Sequence, residues 1–366
     1  MSDCTGSDRT SWIGLDIGGA NIKAAHGSGI ARTVPFEVWK RPEELAQAIG
    51  TIAATLPPCE CAAVTMTAEL CDCFPTKGVG VNAILDAVID ALPVQSIMVW
   101  GLDGQFHELF EARQNPALVA AANWLALATL AARLLPEEPA LLIDIGTTST
   151  DLIPLLNGSV AARGRSDTER LQAGELVYAG IRRTPVCALA TELPFRGAPT
   201  GLAAELFAST LDIYLTLGDI ASNPVDLSTA DGRPSTPDAA RDRLARMIGA
   251  DRDGFSPDDA LAFSQAADAS LMDRLAHAAE RACESTIGRP TTAVIAGSGD
   301  FLALRLARRL LGPDRPLVSL KSAWGEIASS AGCAFALVQL ASERFRPAPE
   351  ALRPSPPNPL VETKLP

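Results

Sequence analysis

The tightest constraint on this chain is a motif that occurs twice. Residues 12–23 read WIGLDIGGANIK and residues 141–152 read LLIDIGTTSTDL. Each copy runs from an apolar strand into Asp-Ile-Gly, through small or hydroxylated residues, and out into a second strand. Asp16 and Asp144 lie 128 residues apart. That exceeds the ~20–50-residue period of a solenoid and fits one copy per lobe of a bilobed chain. A length of 366 residues agrees, at roughly 150 per domain. Each copy predicts the first turn of a β-meander. The first meander breaks again at Gly27-Ser28-Gly29, and the second carries Asn157-Gly158, a two-residue hairpin signal between apolar runs.

Between and beyond the meanders, periodicity predicts helices over 42–56, 79–92 and 116–135, and strands over 62–66 and 96–100. Helices follow over 201–217, 238–248 and 257–285, separated by a Pro-, Ser-, Asp- and Gly-rich loop at 222–237. A strand over 291–296 enters the turn Gly297-Ser298-Gly299 and a helix over 300–311; a strand over 317–320 and a helix over 323–341 complete the pattern. The expected organisation is an N-terminal lobe over 1–135 and a C-terminal lobe over 136–322 with a helical insertion about 198–290. A final helix over 323–345 and a flexible Pro-rich tail over 346–366 follow. The last twenty residues hold seven prolines, which excludes a helix or a central strand there.

Composition removes several classes of function. Hydrophobic residues make up 47% and charged residues only 20%, below the usual ~25%, so much of the chain is buried and bulk disorder is excluded. Eight cysteines in this length are too dilute for a disulfide scaffold. A net charge of −12 argues against a nucleic-acid surface. No run approaches ~18 uninterrupted apolar residues and no signal-peptide pattern opens the sequence, so neither a membrane span nor secretion is expected. The expectation is a cytoplasmic protein with reduced thiols.

The paired turns are where chemistry is expected. Gly18 and Gly19, or Gly146 followed by Thr147 and Thr148, let backbone N–H groups converge without Cβ clashes, and such a concavity holds phosphate oxygens. Asn21 and the threonine hydroxyls add polar groups. Asp16 and Asp144 at the strand ends attract Mg²⁺, which neutralises the phosphates. Lys23, Lys77 and the Arg182-Arg183 pair are the candidate cations; alternation along a strand lets only one of the two arginines face a site. Gly297-Ser298-Gly299 opens a helix and suits a phosphate, ribose or other polar substrate group. Glu69 and Glu175 are candidate proton acceptors, and Asp231 and Arg233 sit in a loop able to close over a ligand. Against each stands a structural reading: an ordinary turn, an ion pair or a solvated surface charge. Cys59, Cys61, Cys71 and Cys73 have Cys-x-Cys spacing, unlike the usual zinc pattern. His26, His107 and His277 are scattered, so no histidine-based centre can be built from spacing.

The order of these parts resembles the actin, sugar-kinase and Hsp70 superfamily, with two ribonuclease-H-like lobes around a central cleft. More narrowly, the chain resembles the hydantoinase/oxoprolinase-related branch and the small proteins of tetrahydromethanopterin-linked one-carbon metabolism. The segments that carry this include DIGGANIKAAH at 16–26, TAELCDCFPTKGVGV at 67–81, DIGTTSTDLIPL at 144–155, ERLQAGELVYAGIRRTPVCAL at 169–189 and AGSGDFLA at 296–303. The resemblance implies a transferase of methanofuran biosynthesis. Its partners would be a small-molecule diphosphate, an (aminomethyl)furan-methanol ester, and a phenolic acceptor of the glutamyl-tyramine or tyrosine type. The two would join in an ether as pyrophosphate leaves, with Mg²⁺ as cofactor and a homodimer left open. The competing expectation is an ATP-dependent small-molecule kinase or an oxoprolinase-like hydrolase of the same fold. The first turn departs from the kinase pattern, having Gly19 where a hydroxyl is common.

Overall fold

The computed structural model describes residues 11–135 and 137–346. Of the expected tail over 346–366 all but Arg346 lies outside the described residues, as does the junction residue Pro136.

The first sheet is built from β1 (Trp12–Ile17), β2 (Asn21–His26), β3 (Ala31–Pro35), β4 (Cys61–Met66), β5 (Ser96–Trp100) and β6 (Phe106–Glu108) in the order β3-β2-β1-β4-β5-β6. The meander pairs antiparallel, and β4 joins β1 in parallel. The second sheet contains β7 (Ala140–Ile145), β8 (Thr150–Leu156) with a short partner β9 (Ser159–Val160), and β10 (Leu176–Val177). A hairpin of β11 (Glu192–Phe195) and β12 (Ala198–Gly201) stands apart, and β13 (Thr292–Ala296) and β14 (Leu317–Ser319) return to the second sheet. Its order, β10-β8-β7-β13-β14, repeats that of the first, with β7 in the place of β1. The duplicated motif is thus a duplicated sheet topology. β1 and β4 are buried along their whole length, as strands covered on both faces must be.

Helices α1 (Leu45–Ala53) and α2 (Lys77–Ala91) cover one face of the first sheet. Short helices α3 (Leu109–Gln114) and α4 (Pro116–Val119) lead to α5 (Asn123–Ala132). In the second lobe α6 (Asp167–Ala173) precedes the insertion helices α7 (Thr210–Leu217), α8 (Pro237–Arg246) and α9 (Pro257–Glu284). Then α10 (Asp300–Leu311) follows β13, and α11 (Leu320–Trp324), α12 (Glu326–Ser330) and α13 (Gly332–Arg344) end the fold. The two connecting helices cross over. α5 leaves the first lobe to pack on β8 and β9 of the second, whereas α13 leaves the second to pack on β1, β2 and β4. α5 and α13 also pack on each other, so one core runs from Trp12 and Trp100 to Leu142 and Val294.

Three helix expectations are corrected. The helix over 116–135 is broken: Ala120 is extended and bridges Met66, and Ala121 has φ +50°. The helix over 201–217 begins only at Thr210; before it, backbone amides are spent elsewhere, Leu202 on Thr191 and Ala203 on Met247. The insertion therefore opens with irregular chain after the β11–β12 hairpin, which turns on Arg196 and Gly197 at positive φ. The final helix over 323–345 is three helices, interrupted at Gly325 (φ +86°) and Ala331. Among the described residues no helix is long and apolar enough to cross a membrane.

Gly14 lies under α13, where a Cβ would collide with the Ala334 carbonyl and come within 2.9 Å of Val338 Cγ2. Gly14→Val should therefore cost about 3 kcal/mol as the helix is forced off the sheet. Urea denaturation reads the loss, and an unchanged midpoint would show that α13 yields freely.

Candidate active site

The two turns face each other across a cleft of about 930 Å³. They are built alike. The Gly18 amide donates to the Asn21 carbonyl (3.0 Å) and the Gly146 amide to that of Ser149 (2.9 Å). Each is then backed by the chain that follows the third strand of its meander. Phe36 and Val38 donate backbone N–H bonds to Ala20 (3.0 Å) and Gly19 (2.9 Å), while Ile181 and Arg183 donate to Gly146 (3.1 Å) and Thr147 (3.0 Å). A Cβ at Gly19 would come within 2.9 Å of Cys71 Sγ, so a side chain there would have to displace that thiol. Gly297, at φ +87°, has no room for a side chain against Ile145 and Asp144, which presses the strand–helix turn onto the second loop.

Register sets the charges. Asp16 pairs with Lys23 across β1 and β2, and Asp144 pairs with Asp151 across β7 and β8. Equivalent positions therefore hold a lysine in one lobe and an aspartate in the other. All four line the cleft. Burial pushes the Asp16 carboxyl up, opposed by Lys23 and by the side chains of Asn123 and Cys333, and its Oδ1 has no hydrogen-bond partner. Burial and the Asp151 and Asp16 charges push Asp144 up to about 7, Lys23 opposing. Burial pulls the Lys23 ammonium down, but Asp16, Cys333 and Asp144 more than offset this and hold it above the usual lysine value.

Of the residues expected from sequence, Asp16, Gly18, Gly19, Asn21, Lys23, Asp144, Gly146, Thr147, Thr148, Arg183, Gly297 and Ser298 line this cleft. Lys77 stands at its edge, 3.5 Å from Asp167 of the opposite lobe. Glu69 is 1% exposed and behind the wall formed by Thr67, Leu70 and Cys71; its Oε2 is unpartnered and burial pushes the carboxyl up to about 7. The others go elsewhere. Glu175 is fully buried and accepts the backbone amides of Arg163 (2.6 Å) and Gly164 (2.9 Å), a structural role outside the cleft lining. Arg182 turns away to pair with Asp226, Asp231 is held by Arg243 (3.0 Å), and Arg233 is held by Asp242 (2.9 Å), so that loop is pinned to α8 and does not cover the cleft. Gly299 packs on Ile145 and Ile181. The four paired cysteines are free thiols, and no group of three or more His, Cys, Asp or Glu gathers among the described residues.

Sequence reasoning missed Trp39, Asn123, Asp151, Arg170 and Tyr178, all cleft residues. Asp151 had a signal: it stands seven residues after Asp144, as Lys23 does after Asp16. Asn123 enters only because the chain kinks at Ala121. Arg170, 2% exposed, is stacked on Trp124 with its guanidinium 4.1 Å from the ring and pairs with Asp151. No local pattern marks it.

Two facing copies of one strand–turn–strand topology, joined by crossing helices, define an actin-like two-lobed protein. The chain belongs to the hydantoinase/oxoprolinase family, whose model matches residues 60–341. Its fold is like that of nucleotide-free acetone carboxylase, with a TM-score of 0.51, 12% identity, and coverage of 90% of this chain and 70% of that one. More particularly, it is 32% identical over 339 residues to the (4-{4-[2-(gamma-L-glutamylamino)ethyl]phenoxymethyl}furan-2-yl)methanamine synthase of Methanocaldococcus jannaschii, covering 91% of this chain and 98% of that protein. The synthase of that name from Methanococcus vannielii is 27% identical over 201 residues, 55% of this chain and 90% of that protein. The chain is an enzyme.

The buried Glu69 makes a pH prediction. Its folded carboxyl holds a proton from the ordinary 4.5 up to about 7, where the unfolded chain has lost it. This group therefore favours the fold below pH 4.5, and the advantage drains as pH rises to about 7. Glu69→Gln should remove roughly 3 kcal/mol of that slope and be the more stable protein at pH 8. Urea midpoints at pH 5 and pH 8 decide it; parallel pH dependence in both proteins would contradict the buried orphan carboxyl.

Proposed function

We propose that the chain makes the aryl ether named in its relatives, as a transferase of methanofuran biosynthesis acting in the cytoplasm. A furanmethyl diphosphate bearing an aminomethyl group is joined to the phenol of a γ-glutamyl-tyramine unit. The carrying observation is the pair of facing turns around Lys23, a cradle for two linked phosphates, in a chain whose near-full-length relative is such a synthase.

The bond from the furfuryl carbon to the diphosphate oxygen breaks heterolytically, its electron pair leaving with the diphosphate. The furan oxygen donates into the vacant carbon. The phenol oxygen then forms the new C–O bond, and the phenolic proton passes to a carboxylate of the cleft or its water. The turns and the Lys23 ammonium hold the leaving group where its charge grows. Arg183 adds a second cation from the opposite lobe. The residues present suit Mg²⁺: Asp16 has a buried, unpartnered Oδ1, and Asp144 faces the same cleft. These are hard oxygen donors, and two carboxylates leave the rest of an octahedral shell to substrate oxygens and water. A bound Mg²⁺ would neutralise pyrophosphate charge.

The purified protein with Mg²⁺ is expected to release pyrophosphate from the aminomethylfuran diphosphate only when the phenolic acceptor is present. ADP or phosphate from ATP, with nothing from the furan ester, would favour the kinase or hydrolase reading. Asp16→Asn and Asp144→Asn should each lower turnover on the order of 10³-fold while circular dichroism stays native. Full activity in both would remove the cradle from the mechanism.

A further inference from the structure

The two strands of chain that back the phosphate loops meet across the cleft. The segment after β3 reaches Trp39, and its equivalent after β10 reaches Arg183. The Arg183 guanidinium lies over the Trp39 ring, 4.7 Å from its centroid. Both side chains line the cleft, and they come from opposite lobes. Arg183 is exposed and Trp39 half-buried. Arg183 makes no ion pair among the described residues, whereas its neighbour Arg182 is spent on Asp226. The indole face thus already holds one cation beside the two turns, and that cation is an exposed guanidinium with no ion-pair partner among the described residues.

We propose that Trp39 is a catalytic residue whose indole face receives the furfuryl cation, Arg183 leaving it for the diphosphate when substrate binds. This rests on the ether-forming reading above. As the C–O bond to diphosphate breaks, positive charge appears on the furfuryl carbon and its ring. A neutral π face stabilises that charge without a lone pair to donate into it, and the phenol oxygen, made strongly nucleophilic as its proton passes to a carboxylate, captures the cation from the other side. A carboxylate at the same place would collapse onto the cation as an ester. A cation–π contact in a site of this depth is worth about 0.5–2 kcal/mol, or roughly 2- to 30-fold in rate. The attraction grows with charge, so it favours the transition state over the bound diphosphate. The pseudo-symmetry adds a reason for the location: each loop-backing segment projects its last side chain over the gap between loops, one supplying the cation for the leaving group and the other the π face for what remains.

The test is a series of proteins with one, two or three fluorines placed on the Trp39 indole alone, alongside Trp39→Leu. Fluorine drains the π face and barely alters shape. The expected result is a stepwise fall in kcat across the fluorinated series and a loss of about 30-fold in Trp39→Leu, with binding of the unreactive methylenediphosphonate analogue of the furan substrate changed less than 3-fold. A flat kcat across the fluorinated series overturns the proposal. So does a fall in analogue affinity that matches the fall in kcat, which would make Trp39 a binding surface or a clasp between lobes. Absence of ether formation by the wild-type protein is a separate result and removes the ether-forming reading itself.

Discussion

Helix α13 lies on β1 so closely that Gly14 must lack a side chain, and the active site depends on that approach. The helix belongs to the second half of the chain and packs on the sheet of the first. Its N-terminal residues, Gly332 and Cys333, form part of the cleft, with the Cys333 thiol beside Asp16. α5 makes the reverse crossing, and its start delivers Asn123 to the same carboxylate. With both crossings in place, the two Asp-Ile-Gly turns are held face to face by a core shared between the lobes.

Within that frame the halves are alike in backbone and unlike in charge. The register places Lys23 in one lobe where Asp151 stands in the other. The cleft thus gathers the buried Asp16 and the half-buried Asp144 and Asp151 around the half-buried Lys23 ammonium, and Asp144 is pushed up to about 7 by its surroundings. Such groups disfavour their own ionised forms until a cation and a polyanion enter together, which is the arrangement a diphosphate with a divalent ion would satisfy. At the mouth, Lys77 with Asp167 and Arg183 with Trp39 are contacts between lobes.

The loop residues were legible because a glycine-rich turn between two apolar strands has few alternatives, and the second copy repeated the first. Helices with strong periodicity and a cap were equally legible: α10 occupies the expected residues 300–311, and α9 begins one residue after Ser256, whose side chain caps it. Failures cluster where apolar content continues through a break. Residues 116–135 and 323–341 are alanine-rich and read as unbroken helices, yet each is interrupted beside the cleft, at Ala121 and at Gly325 and Ala331. A short charged motif was also ambiguous. Glu175, Asp231 and Arg233 had the residue types of a site, and the fold uses them for backbone amides and ion pairs.

By itself the sequence determined the two-lobed plan, the two glycine-containing turns that follow Asp16 and Asp144, and the family membership that the resemblance implied, because these depend on local patterns of glycine, carboxylate and apolar residues. Only the tertiary structure decided which of Arg182 and Arg183 faces the cleft, that Glu175 is structural, and that Trp39 meets Arg183. Trp39 and Arg183 stand 144 positions apart and Arg182 reaches Asp226 44 positions on, while Glu175 folds back on amides 11 and 12 residues before it; each contact follows from how the chain is packed, which residue type and spacing alone do not encode.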